Sequence, residues 1–197
     1  MSLEGGIIIR YVYHIKPQTM VGERLLPLRK LKLLDEELFK SYTEKYHDHP
    51  QRYKLLERRI PILNCLWNDV VHFLPLHPSY VYKALKDLGV NVSSKMTFYE
   101  IPIERLAENQ NVIYSYNKEH YNGPSSNIDI RDIQRLSIDA YKELPAVPNE
   151  TIAYYREQHE KGNRFGLFHL IPHVLSEGEI DVSNINTIKW SDEFLRT

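Results

Sequence analysis

The spacing of apolar and polar residues changes period several times along the chain, and each change marks an element. Ile7 to Ile15, "IIIRYVYHI", is β-branched and aromatic with no breaker before Pro17, so it reads as a strand. Alternation puts Arg10, Val12 and His14 on one side and Ile9, Tyr11, Tyr13 and Ile15 on the other. In "LLDEELFKSYTEKYHDHP", Asp35 is placed as an N-cap, Glu36 and Glu37 fall in the first turn, and Leu34 and Phe39 stand at staple spacing. A helix starts there. A second begins at Pro50, runs through "QRYKLLERR" and is ended or redirected by Pro61.

The segment "WNDVVHFLPLHPSYVYKALKDLG", residues 67 to 89, combines a short buried strand, a bend at Pro75 and a helix whose first position suits Pro78. Val81, Ala84, Leu85 and Leu88 make its apolar stripe, and Gly89 is its C-terminal stop. "KMTFYEIPI" and "NVIYSYN" read as two further strands, followed by a Gly/Pro loop, "NKEHYNGPSSN". The spacing of Ile130, Ile133, Leu136, Ala140 and Leu144 predicts a helix over 129–144, and Asn149 is positioned to cap another that runs to Lys161 before Gly162. The C-terminal part returns to strand composition, with "SEGE" as a turn and Ile188 and Trp190 on one face of a last strand.

Strands at both ends with helices between them predict an α+β fold: a central, mostly antiparallel sheet with the terminal strands paired and several helices packed around it. At 197 residues the default is one domain, 7–197, with Met1–Gly6 set aside as an expression leader. Apolar residues at 42% and charged residues at 26% exclude an extensively disordered chain.

Charge narrows the partners. The formal net charge of -1 offers no global field for a phosphate backbone, so nucleic acid is not indicated. The distribution is uneven, however: residues 1–60 carry 12 basic and 8 acidic side chains, the remainder 13 and 18. The single cysteine, Cys65, sits in the apolar setting "PILNCLWND", which suits a buried thiol in a reducing compartment. No apolar run approaches the ~20 residues that span a bilayer, and a cytoplasmic location is the expectation.

Nine histidines raise the question of a metal. His47 and His49 flank Asp48 in "YHDHP", but at the end of a helix they are explained by the helix dipole, and neither HExxH nor CxxC spacing occurs. No metal site is assigned. There is no G-x-S-x-G elbow, P-loop or G-x-G-x-x-G, so nothing points to a hydrolytic nucleophile. The 14 tyrosines serve equally as amphipathic core residues and as stacking platforms.

Three stretches, "VYHI" ending the first strand, "VVHFLPLHPSYVYKAL" in the middle and "HVLSEGEIDVSNINTIKW" near the end, resemble in order and context the ADP-ribosyltransferase-like fold. The likeness is to its DNA thymidine ADP-ribosyltransferase and RNA 2'-phosphotransferase branches. It implies NAD or another nucleotide as ligand, with His14 on the nicotinamide-side ribose and Tyr80 or Tyr82 stacking on nicotinamide. His173 falls where the family carries a glutamate, and imidazole cannot replace the carboxylate that stabilises an oxocarbenium-like sugar. Glu177 or Glu179 could substitute only from a turn.

Two readings follow. One is an enzyme or degenerate enzyme that binds NAD or another nucleotide in a cleft near His14, Asn68, His72, His77 and Tyr80, with His14 and His173 at the catalytic positions. The other is a non-catalytic interaction module. The first predicts a pocket with one wall shared by His14 of the first strand and the 67–80 segment; the second rests on exposed-looking aromatic residues and the missing carboxylate.

Overall fold

The computed structural model describes residues 9–47, 53–123 and 126–192, with the side chains of 45–47 and 53 excepted. In chain order the strands and helices are β1 (Tyr11–Ile15), β2 (Arg24–Leu25), α1 (Leu28–Leu34), α2 (Glu36–His47), β3 (Arg59–Ile60), β4 (Cys65–Leu66) and β5 (Val70–Phe73). They continue with α3 (Pro78–Asp87), β6 (Thr97–Pro102), β7 (Gln110–Tyr114), β8 (Ile133–Arg135), α4 (Asn149–Glu160), β9 (His173–Glu177), β10 (Ile180–Asp181) and β11 (Asn186–Lys189). The fold is α+β.

The predicted central sheet is divided. The terminal strands do not pair with each other but share one sheet through β6, in the order β1-β6-β11; β5-β9-β7-β8 form a second, β2 with β10 and β3 with β4 make two-stranded sheets, and every pairing is antiparallel. Strand alternation explains the layers. Val12 of β1 and Val174 of β9 enter a core with Val71, Phe73 and Ile101, whereas their neighbours Tyr13 and Leu175 turn to two other cores. Tyr13 joins Val81, Leu85, Phe98, Tyr155 and Trp190 where α3 and α4 pack. Leu175 joins Trp67, Val70, Val112 and Tyr114.

A single bridge ties the sheets where the site lies. Tyr13 N donates to Leu74 O at 3.0 Å and Leu74 N to Tyr13 O at 2.8 Å. It brings the end of β1 against the end of β5.

Local signals account for the helices. Asp35 Oδ1 accepts from Leu38 N at 2.9 Å at the start of α2. Pro78 occupies the first turn of α3, and Gly89 ends it at φ +76, a left-handed conformation that favours glycine. Near Pro50, the described part of the second predicted helix is a 3-10 turn, Tyr53–Glu57. At α4 the capping position belongs to Pro148, with Asn149 already the first helical residue, which corrects the expected Asn149 cap.

The helix expected over 129–144 is absent. A 3-10 turn, Ile130–Asp132, leads into β8, and Ile130 is 58% exposed. The reason is tertiary: β8 completes the sheet beside β7, and the following residues form short turns, such as Tyr141 N to Ile138 O at 3.3 Å, that are tied to β1 by long-range hydrogen bonds. Arg10 Nη1 donates to Asp139 O at 2.5 Å and Tyr141 O at 3.1 Å, and Tyr141 Oη donates to Tyr11 O at 2.8 Å. Glu143 accepts from Tyr11 N at 2.8 Å and Tyr13 Oη at 3.1 Å. Such long-range acceptors outweigh a periodic apolar pattern whose helix has no face to bury.

Candidate functional site

The Tyr13–Leu74 bridge opens a cleft of ≈ 880 Å³ beside the junction of the two sheets. His14, one residue past the bridged Tyr13, donates through Nδ1 to His72 O at 2.8 Å, which fixes the proton on that nitrogen. His72 projects from β5 with its ring 4.5 Å from that of Trp67. His173 enters from β9, opposite Tyr114 in the register, and donates through Nδ1 to Ile171 O at 2.7 Å. His14, His72 and His173 thus line one cleft.

Three other positions singled out in the sequence stand elsewhere. His77 is buried at the N-cap of α3, where Nδ1 accepts from Ser79 N at 3.3 Å, and its ring edge meets Tyr13 at 5.3 Å. Tyr80 packs against the core between α3 and the β1 sheet. Asn68 lies in the turn before β5, its Oδ1 buried with no hydrogen-bond partner. None of the three is among the residues lining the cleft. For His77 and Tyr80, Pro78 explains the divergence: starting a helix there turns the chain away from the cleft and inserts its first residues into the core.

The cleft wall is aromatic. Trp67, Tyr116, Tyr121, Tyr154 and Phe168 all contribute. Tyr116 stacks on Tyr114 at 5.1 Å, meets Tyr121 edge-on at 4.8 Å, and hydrogen-bonds through Oη to His169 Nδ1 at 3.1 Å. Its φ of +57, unusual for a residue with a side chain, redirects the chain as it leaves β7. His120 Nδ1 lies 2.8 Å from the buried carboxylate of Asp132 and pins the loop that carries Tyr121.

Burial dominates the electrostatics. It pushes the Tyr116 phenol well above its ordinary range. It also lowers His169, and holds His173 neutral with its pKa lowered to about 4, partly offset by the bond to Ile171 O. At neutral pH these two imidazoles therefore act as neutral donors and acceptors. No Asp or Glu is among the described residues that line the cleft. Glu179 is held outside by Arg24 and by Lys30 at 2.6 Å, which keep its carboxyl below the usual range, and Glu177 has one carboxylate oxygen buried without a hydrogen bond.

No protein-family model, curated protein or solved structure matches the chain.

Other chemistry is confined by the same geometry. Burial first, then the Glu177 and Asp69 carboxylates, push the Cys65 thiol up to about 12, so it is a thiol and not a thiolate at neutral pH. The side chain of His47 and the whole of His49 lie outside the described residues, and among those described no cluster of three or more His, Cys, Asp or Glu is arranged to hold a metal. No helix in the described residues is long and apolar enough to cross a membrane.

Sequence reasoning missed Arg58, Trp67, Tyr116, Tyr121 and His169 as wall residues. The Gly/Pro loop that holds Tyr121 carried a signal, because such loops concentrate function. Nothing local marked the others.

Proposed function

We propose that the chain is a cytoplasmic, ADP-ribosyltransferase-like protein that binds NAD or a related nucleotide in this cleft without catalysing transfer. The observation that carries the reading is the placement of His14, His72 and His173 in one aromatic-walled cleft beside the Tyr13–Leu74 bridge. A nucleotide needs flat apolar surface for its rings and neutral hydrogen-bonding groups for its ribose hydroxyls. Trp67, Tyr121 and Phe168 supply the first. The imidazoles supply the second.

Binding without transfer follows from the lining. A sugar that develops oxocarbenium character requires fixed negative charge within hydrogen-bond reach, and neutral imidazole at position 173 provides none. The alternative, an interaction module, draws on the exposed Leu33 and Leu34 of α1, 83% and 58% accessible, but two side chains make a small patch.

Thermal unfolding tests the reading. NAD or ADP-ribose at about one hundred times its dissociation constant should stabilise the protein by about 2.7 kcal/mol, a rise of several degrees in Tm, and nicotinamide release should stay at background. A Tm unmoved by millimolar NAD, ADP-ribose and AMP would contradict binding, and steady nicotinamide release would contradict the absence of transfer.

A further inference from the structure

We infer that Arg58 is an anion subsite of this cleft, so that the ligand is a phosphorylated nucleotide and not a nucleoside or free base. The inference deepens the nucleotide-binding reading and rests on it.

Arg58 departs from the ion-paired arginines among the described residues. Arg24, Arg29 and Arg131 are well exposed and each is paired with a carboxylate, Glu179, Asp69 and Asp129 respectively. Arg58 is 5% exposed, yet among the described residues no carboxylate lies within ion-pair distance of it. Its hydrogen bond is from Nη2 to Tyr114 Oη at 3.3 Å, and Nε is buried with no partner at all. Buried charges are ordinarily paired, because removing a guanidinium from water costs several kcal/mol.

Aromatic faces meet part of that deficit. The guanidinium carbon stands 5.4 Å from the Tyr114 ring centroid and 5.7 Å from those of Trp67 and Tyr121. These contacts hold the fork in place without neutralising it. Arg58, Trp67 and Tyr121 all face the cleft. A phosphate there meets a planar donor set it matches, beside rings on which the attached base or nicotinamide can stack.

The surroundings favour an anion in particular. No carboxylate among the described lining residues competes for the guanidinium, and the first 60 residues, which supply much of the wall, carry the chain's excess of basic side chains.

The test compares adenosine with AMP and nicotinamide riboside with nicotinamide mononucleotide by calorimetric titration of the full chain. Wild-type protein, Arg58→Lys and Arg58→Gln are used, with far-UV circular dichroism as the check on folding. In the wild type each phosphorylated ligand should bind about 10–100-fold more tightly than its nucleoside. Arg58→Gln should abolish most of that ratio by weakening the nucleotides and leaving the nucleosides nearly unchanged, with Arg58→Lys between. Equal wild-type affinity for nucleotide and nucleoside overturns the anion subsite while leaving nucleotide binding intact. So does an Arg58→Gln protein that loses both ligands equally. Should that variant not fold, the wild-type ratio and its decline with added salt decide alone. Failure of all four ligands to bind overturns the subsite and the nucleotide-binding reading together.

Discussion

Replacing Trp190 with Ala is expected to lower the unfolding free energy by about 3–5 kcal/mol, the range found for aromatic-to-alanine changes in cores. Trp190 is 1% exposed, one residue beyond β11, and its indole Nε1 donates to Ser93 O at 2.8 Å. Its ring lies 5.2 Å from that of Tyr82 on α3. The side chain thus connects the last strand, the turn before β6 and the helix that follows the cleft-forming strand. Its loss leaves a cavity where the β1-β6-β11 sheet meets α3, and β1 carries His14 into the cleft. Trp190→Phe keeps most of the packing and loses the indole bond, for a cost of about 1 kcal/mol plus the smaller volume change. Urea unfolding read by circular dichroism checks both, and a Trp190→Ala midpoint within error of the wild type would show that the sheet is not anchored there.

Acidification should destabilise the protein through His173. Its pKa is lowered by burial from 6.5 to about 4 in the folded state. Above pH 6.5 the residue is neutral whether folded or unfolded, so its contribution is fully retained. Between 6.5 and 4 the unfolded residue takes up a proton that the folded one excludes, and stability therefore falls as pH falls. The loss is complete below about 4 and amounts to roughly 3 kcal/mol. His169, also lowered by burial, acts in the same direction. The depressed carboxylates Asp129, Glu157, Glu179 and Asp181 also lose stability on acidification, but within the lower, carboxylate range. His173→Gln removes the titration and keeps a polar side chain. Unfolding free energies at pH 7, 6 and 5 should fall more steeply for the wild type than for the variant. Parallel lines would mean that the ring is hydrated in the folded state.

Elements whose signals lie within a few residues were legible in the sequence, and those set by distant partners were not. The Asp35 cap, Pro78 at the start of α3 and Gly89 at its end each need only their neighbours, and all three stand where the pattern puts them. The 129–144 segment shows the converse. Its apolar spacing is helical, yet Glu143 is bound to Tyr13, 130 residues away, and no local rule contains that bond. The same division runs through the site. His14 and His72 meet because of the bridge between Tyr13 and Leu74, whose pairing depends on the assembly of both sheets. His77 and Tyr80 belong to the segment that shapes the cleft, but the helix start turns them into the core. Within "LERRIP" nothing distinguishes Arg58, buried beneath three rings, from Arg59, exposed and bonded to Asn64 Oδ1 at 2.5 Å. Burial of one and not the other is a property of the finished packing.

The most direct test of the central claim follows the histidine rings themselves. In protein labelled with ¹⁵N-histidine and titrated with NAD, the resonances of His14, His72 and His173 should shift together and saturate at one dissociation constant, while that of His159, exposed on α4, stays fixed. Unchanged cleft histidines at millimolar NAD, or a shift confined to His159, would contradict it.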